Sequence, residues 1–176
     1  MPRRKRASAS ADVYRRTFES LPMGLSVWHL ENPDDPGSLR LLASNPAAAE
    51  ATGLPRDQVL GKTMAEAHPA AVASGIAGIF AEVVRTGQMK DLGEVAYGDA
   101  RVREGTYTVF AFPLPGDCVG LAFENITLRM LAEAAREREL AIERLRCELI
   151  AGANQAATAH EALQRALDLI CNFTKW

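Results

Sequence analysis

The sequence predicts an α+β domain, a five-stranded antiparallel sheet with helices on one face, followed by a C-terminal helical extension. Two β-favouring segments precede a helical middle section and three more follow it; strands grouped in this way form antiparallel sheets. A strongly amphipathic helix lies between the two groups. Residues 127–151 then contain neither Pro nor Gly and carry a seven-residue apolar repeat.

The first two strands form a predicted hairpin with a long loop. Asp12 can cap a short helix over residues 13–20, which Pro22 ends. Strands are then expected over 23–30 and 39–43, because the segment between them is rich in Pro, Gly, Asn and Asp.

The middle of the chain is predicted to be helical. A short helix over 47–52 ends at Gly53, a residue that favours the left-handed backbone of a helix end. The clearest helix covers 71–86, where apolar residues recur at helical spacing. Gly75 and Gly78 lower the helix propensity inside it. We therefore expect a sheet or a ligand to approach the backbone there.

Three strands are expected after this helix, over 90–97, 105–113 and 118–126, joined by hairpin-like turns. The following helix, 127–151, carries apolar residues at heptad spacing, which predicts pairing with a second copy of the chain. Packing of this helix on its own domain is the alternative. The predicted dimer seam consists of Leu128, Leu131, Ala135, Arg138, Ile142, Leu145 and Leu149.

Charge and cysteine content limit the class of protein. The net charge is −2, and four basic residues lie within residues 3–6. Without them the chain has 16 basic and 22 acidic residues, a poor match for nucleic acid or anionic membranes. No apolar run is long enough to span a membrane. Three scattered cysteines and the lack of a secretory signal predict a cytoplasmic protein.

The predicted organisation has four parts. Residues 1–11 are expected to form a flexible basic terminus and 12–126 a folded α+β domain. Residues 127–151 are expected to form a long helix, and 152–176 a linker with the start of a further domain.

No catalytic motif is present, so we do not expect this chain to be an enzyme. His29, His68 and His160 fall on different elements, and none has a cysteine at metal-ligand spacing. A small-molecule pocket is expected between the sheet and the long helix. The alternative is that the same residues fill the core. The pocket candidates are Trp28, Ile76, Phe80, Tyr97, Phe110 and Phe123.

The order and spacing of five short segments resemble the PAS domain family over residues 12–127. They are Phe18–Gly24, Ser44–Gly53, Val59–Thr63, Val83–Gln88 and Glu124–Thr127. This resemblance implies an antiparallel five-stranded sheet and a sensory or dimerising role. It also implies an output domain, such as a histidine kinase or a cyclic-nucleotide enzyme, in a longer parent protein.

The resemblance also implies roles for individual residues. His68 lies near the position at which haem-binding relatives place their iron ligand. Asn45 is followed by Pro46, where flavin-binding light sensors have a cysteine, which argues against flavin. Glu124, Asn125, Ile126 and Thr127 resemble the family's junction between last strand and signal helix, although Asn125 replaces the usual Asp. Residues 158–176 resemble the first helix of a GAF domain.

The function predicted from the sequence is therefore a sensory and dimerisation module of a two-component or related signalling protein. It would relay small-molecule or redox state through the signal helix. The alternatives are a ligand-free interaction module and a haem-based gas sensor.

Overall fold

The computed structural model describes residues 2–174, and their side chains from residue 11 onward. The sheet consists of β1 (Gly24–Leu30), β2 (Leu39–Ser44), β3 (Lys90–Tyr97), β4 (Gly105–Leu114) and β5 (Cys118–Asn125). The helices are α1 (Pro2–Ser20), α2 (Pro46–Thr52), α3 (Arg56–Val59), α4 (Met64–Ala67), α5 (Pro69–Ala73), α6 (Ile76–Thr86), α7 (Thr127–Gln155) and α8 (Ala159–Thr174).

The five strands form one antiparallel sheet in the order β2-β1-β5-β4-β3. Residues alternate between its two faces, as the pleat requires. In β1, every second residue from Gly24 to Leu30 is buried and those between are half-buried. The buried face packs against helices α2 to α6, and this layer contains the core. The predicted fold class is confirmed.

The contacts divide the chain into two compact units, one ending at Thr127 and one beginning at Leu128. The first unit contains the sheet and the core. The second contains α7 from Leu128 onward and α8, and none of its described residues is fully buried.

Asn45 ties three elements of the first unit together. Its side-chain oxygen accepts hydrogen bonds from the backbone N–H groups of Leu25 at 2.8 Å and Ala48 at 2.9 Å. Its amide nitrogen donates to the carbonyl oxygens of Phe18 at 3.1 Å and Met23 at 2.8 Å. The side chain therefore caps α2 while it fixes the entry of the chain into β1.

The N-terminal helix differs from the sequence prediction. We expected a flexible terminus over 1–11 and a helix from residue 13, but α1 begins at Pro2. The segment is rich in Arg, Lys and Ala, which have high helix propensity, so it extends the helix that Asp12 was expected to cap.

The predicted helix over 71–86 is interrupted. α5 ends at Ala73, and Gly75 takes the left-handed conformation, with φ of 82°, before α6 begins. No atom comes within 4 Å of a Cβ built on Gly75 or Gly78, so the expected close approach to the backbone is absent there. Gly75 serves instead to change the direction of the chain, which a residue with a Cβ does only with strain.

The predicted linker over 152–159 is largely helical. α7 continues to Gln155, and the chain leaves helical conformation only between Gln155 and Ala159. A single glycine costs about 1 kcal/mol of helix stability, so Gly152 among alanines does not end the helix.

Candidate ligand cavity and helical junction

A cavity of about 110 Å³ lies in the first unit, between the buried face of the sheet and helices α2 to α6. Five of the six predicted pocket residues line it. They are Trp28, Ile76, Phe80, Tyr97 and Phe123. The rest of the wall is also mostly carbon, with Leu41, Met64, Val109 and Leu121 among its members. Such a wall is suited to an apolar ligand.

Phe110 was assigned to the pocket, but it lies on the opposite face of the sheet. Tyr107 and Val109 line the cavity, and side chains alternate along β4, so Phe110 faces the other way. The sequence showed four apolar side chains close together in this strand, and apolar character alone did not distinguish its two faces.

One polar ring, the His68 imidazole, lies among the aromatic residues of the wall. Its centroid is 5.7 Å from the Trp28 ring and 6.4 Å from the Tyr97 ring, both in edge-to-face arrangement. Among the described residues, the imidazole has no hydrogen-bond partner. Burial lowers the pKa of His68 from 6.5 to about 4, a shift that the carboxylate of Asp99 opposes. The ring is therefore neutral at physiological pH.

The loop between β3 and β4 closes the cavity on one side. The Tyr97 hydroxyl lies 3.3 Å from Oδ2 of Asp99. Oδ1 of Asp99 accepts hydrogen bonds from the backbone N–H groups of Arg101 and Val102, both at 2.8 Å. Val102 is buried and lines the cavity. The loop is thus an ordered part of the wall.

Tyr107 links this loop to the next strand. Its ring lines the cavity. Its hydroxyl donates to the carbonyl oxygen of Arg103 at 2.7 Å, and the carbonyl oxygen of Ala51 lies 3.2 Å from the same hydroxyl. Burial raises the pKa of the Tyr107 phenol. The phenol is therefore a protonated donor at neutral pH.

The residues present do not fit haem. A ring system of that size needs a pocket of several hundred Å³, and this cavity is about 110 Å³. The cavity wall also has no Arg or Lys to bind the two propionates.

The four junction residues lie together at the start of α7. The backbone N–H of Ile126, which is buried, donates to the carbonyl oxygen of Thr106 at 2.9 Å. The Thr127 hydroxyl accepts from the N–H of Thr106 at 2.9 Å. The side-chain oxygen of Asn125 accepts from the N–H of Thr127 at 3.1 Å. Asn125 therefore contributes a hydrogen bond at the helix start, while Glu124 is exposed.

Gly105 is required by the geometry of this junction. A Cβ at this position would lie 2.5 Å from the Thr127 hydroxyl oxygen and 3.1 Å from the side-chain nitrogen of Asn125. Only a glycine lets the first residues of β4 and α7 approach so closely.

The predicted seam residues are on α7, in the second unit. Leu128 is 81% exposed and Leu131 62%, whereas Leu145 and Leu149 are half-buried. Large apolar side chains exposed to this degree at heptad spacing are typical of a helix that pairs with another helix. Their pairing with a second copy stays a prediction.

Several cavity residues were missed by the sequence analysis. Ser26 and Ser44 line the cavity, as do Val102 and Tyr107 of the last loop and strand. The alternation of buried residues along β1 could have placed Ser26 on the same face as Trp28.

Other site types are absent from the described part of the chain. Residues 11–174 contain no cluster of three His, Cys, Asp or Glu side chains that could hold a metal ion. Cys118 is a buried free thiol, and Cys147 and Cys171 are exposed free thiols. No helix among the described residues is long and apolar enough to cross a membrane.

Solved structures share this fold. A domain of a sensory box sensor histidine kinase/response regulator from Geobacter sulfurreducens matches 66% of this chain and 94% of its own, with 22% identity and a TM-score of 0.52. The PAS domain of an HTR-like protein from Haloarcula marismortui covers 70% of this chain and 98% of its own, with 18% identity and a TM-score of 0.53. A LOV protein from Rhodobacter sphaeroides covers 92% and 94%, with 16% identity and a TM-score of 0.51.

A family model described as the PAS fold matches residues 18–129, which include the sheet, the cavity and the junction. No curated protein matches the chain significantly. The family model covers more than half of the chain, its order of elements is the one observed, and sensory domains share the fold. The chain therefore belongs to the PAS fold family, as its sequence predicted, and this membership supports a sensory role.

Proposed function

We propose that this chain is the sensory module of a signal-transduction protein, in which a small molecule binds the cavity and changes the pairing of α7. The parent protein would be a sensor histidine kinase or a related regulator. The similar domain from Geobacter sulfurreducens, which comes from a sensor histidine kinase/response regulator, supports this placement.

One observation carries the proposal: the cavity and the junction share adjacent residues of β4. Tyr107 lines the cavity and is paired with Asn125 in the sheet. Its neighbour Thr106 exchanges two hydrogen bonds with Ile126 and Thr127. A ligand that displaced the Tyr107 ring would therefore move the strand end on which α7 begins.

The proposed output is pairing of α7 with α7 of a second copy. Leu128, Leu131 and Ile142 are exposed in a single chain, and burial of such side chains in a dimer is favourable. Light scattering on the full chain is expected to give the mass of a dimer. A monomer at micromolar concentration would reject the pairing.

Spin labels test whether filling the cavity changes the pairing of α7. The label is attached to Cys147, which is exposed on α7, and Cys171→Ser removes the other exposed cysteine. Ala48→Leu adds carbon to the cavity wall and imitates an occupied cavity. We expect it to change the label–label distance distribution across the dimer.

Ala65→Leu is the matched control, because Ala65 is exposed on α4 and does not line the cavity. The control should reproduce the distribution of the parent protein. Identical distributions in all three proteins would favour the second candidate, a ligand-free dimerisation module, for which the exposed seam leucines alone are sufficient.

A further inference from the structure

Most hydrogen-bonding groups in the cavity wall are already used by the protein. The Tyr97 hydroxyl bonds Asp99, and the Thr52 hydroxyl donates to the carbonyl oxygen of Ala48 at 2.8 Å. Tyr107 is bound to backbone carbonyls, as described above. These side chains therefore present mainly carbon to a ligand.

Two serine hydroxyls are different. Ser26 on β1 and Ser44 on β2 are directly paired across the sheet, and both line the cavity. They are the least exposed serines among the described residues, at 6% and 5%. Because they are neighbours on one face, their hydroxyl groups form one polar patch. The other side-chain group of the wall without a partner among the described residues is the His68 imidazole. We call Ser26 and Ser44 the serine pair.

The serine pair has spare hydrogen-bonding capacity. Ser26 Oγ accepts a 2.8 Å hydrogen bond from Nε1 of Trp28, and its own proton has no acceptor among the described residues. The Ser44 hydroxyl makes no hydrogen bond to any described residue. Among the described residues, no fully inaccessible side-chain oxygen lacks a hydrogen bond, so the Ser44 oxygen, which has none, keeps some accessible surface. A buried hydroxyl in this state needs a partner supplied from outside the protein.

The rest of the wall limits what that partner can be. No Asp, Glu, Lys or Arg lines the cavity, so a charged ligand would be buried without a counter-charge. The volume of about 110 Å³ is on the scale of a cavity of about 150 Å³ that holds benzene. The indole of Trp28 bonds Ser26 through Nε1 and lies edge-to-face with the His68 ring, so a flat ring that enters the cavity meets aromatic surface beside the serine pair.

We propose that the serine pair selects an uncharged, ring-sized ligand with one hydroxyl or carbonyl group, whose oxygen bonds Ser26 and Ser44 while its ring packs on Trp28. The inference rests on the proposed function of the cavity as a sensor pocket and names the ligand class that this pocket takes.

The test compares phenol with toluene, which have the same shape and the same number of heavy atoms but differ in one hydroxyl. Binding of each to the full chain is measured by calorimetry and by ligand-observed NMR. The phenol hydroxyl loses its bonds to water on binding and lacks the apolar contact of the toluene methyl, so phenol competes with toluene only if the protein bonds the hydroxyl. We expect Ser44→Ala to lower the ratio of phenol affinity to toluene affinity, which we call the phenol preference, by about five- to tenfold, while toluene binding stays within about twofold.

Ser74→Ala is the matched control, since Ser74 is exposed and does not line the cavity. It should keep the phenol preference. Toluene binding also shows whether the cavity of each variant is intact. If Ser44→Ala fails to bind toluene because it is misfolded, Ser26→Ala is tested instead.

The outcomes separate this inference from the proposed function. If Ser44→Ala and Ser26→Ala both retain the phenol preference of wild type, the serine pair is not a selecting group, although the cavity still binds ligands. If wild type binds neither compound, the ligand class proposed here is overturned, while the coupling of the cavity to α7 is judged by the spin-label experiment above.

Discussion

The hydroxyl of Thr127 accepts a 2.9 Å hydrogen bond from the backbone N–H of Thr106. It joins the first residue of α7 to the second residue of β4, next to the cavity residue Tyr107. The return bond runs from the N–H of Ile126 to the carbonyl oxygen of Thr106. A single residue of β4 therefore holds the start of the helix through both of its backbone polar groups.

Thr127→Val removes one of these two bonds and keeps the shape of the side chain. The Thr106 N–H is then left without its partner at a half-buried position, and we expect the first unit to lose about 1 kcal/mol of stability. Hydrogen exchange at the Thr106 amide should become faster by about fivefold, since each 1.4 kcal/mol corresponds to a factor of ten. Thr108→Val is the control, because the Thr108 side chain makes no hydrogen bond to any described residue. Equal exchange at Thr106 in wild type and Thr127→Val would show that the bond does not hold the junction.

The buried His68 makes stability depend on pH. Its pKa is about 4 in the folded chain, against an ordinary value of 6.5. Between these values the unfolded chain binds the proton and the folded chain does not, so the free energy of unfolding falls as the pH falls from about 6.5 to about 4. The loss approaches roughly 3 kcal/mol when the full window is crossed.

His68→Gln should abolish this loss between pH 6.5 and pH 5. Urea unfolding at a series of pH values measures it. His29→Gln, on the other face of the sheet, is the control and should keep the slope. A wild-type protein whose stability is constant from pH 7 to pH 5 would contradict the burial of a neutral imidazole.

The sheet was predictable from the sequence, because the signals that define it are local. The strand boundaries follow from turn residues and β-favouring segments, as for β3 (Lys90–Tyr97), where prediction and structure coincide. The cap of α2 was also visible, since Asn45, Pro46 and Gly53 lie at the positions that helix ends require. The three further partners of the Asn45 side chain, in Phe18, Met23 and Leu25, were not predictable, because they depend on how distant segments meet.

The cavity was predictable only in part, for a physical reason. The large apolar residues of its wall are recognisable as core residues, and five of the six candidates line the cavity, while binding of a ligand there stays a prediction. Which face a residue takes within a strand depends on register, which is why Phe110 was misplaced. Ser26 and Ser44 were missed because small polar residues are ordinarily exposed, and only the assembled sheet shows that they are buried.

Two glycines that interrupt the same predicted helix should respond oppositely to alanine. Gly75 has φ of 82°, a conformation in which a Cβ is strained, so Gly75→Ala is expected to lower stability by about 1–2 kcal/mol. Gly78 lies within α6, does not have a positive φ, and has no atom within 4 Å of the added Cβ. Gly78→Ala should therefore raise stability by about 0.5–1 kcal/mol. Each variant serves as the other's control in thermal unfolding, and a change of the same sign in both would contradict the break between α5 and α6.

Arg138 occupies a seam position of α7 at which a dimer would prefer an apolar residue. Its neighbours in the seam are Ala135 and Ile142, and burial of a guanidinium beside its copy in a partner is unfavourable. Arg138→Leu is expected to strengthen the proposed dimer about tenfold or more, which sedimentation equilibrium on the full chain measures. Arg136→Leu changes the same residue type outside the seam, and we expect no comparable gain. If both variants strengthened association equally, the gain would reflect general hydrophobicity, and the seam predicted from the heptad repeat would be wrong. If Arg138→Leu instead weakened the dimer, the arginine would be bonded across the pair, because removal of a paired charge leaves its partner buried alone.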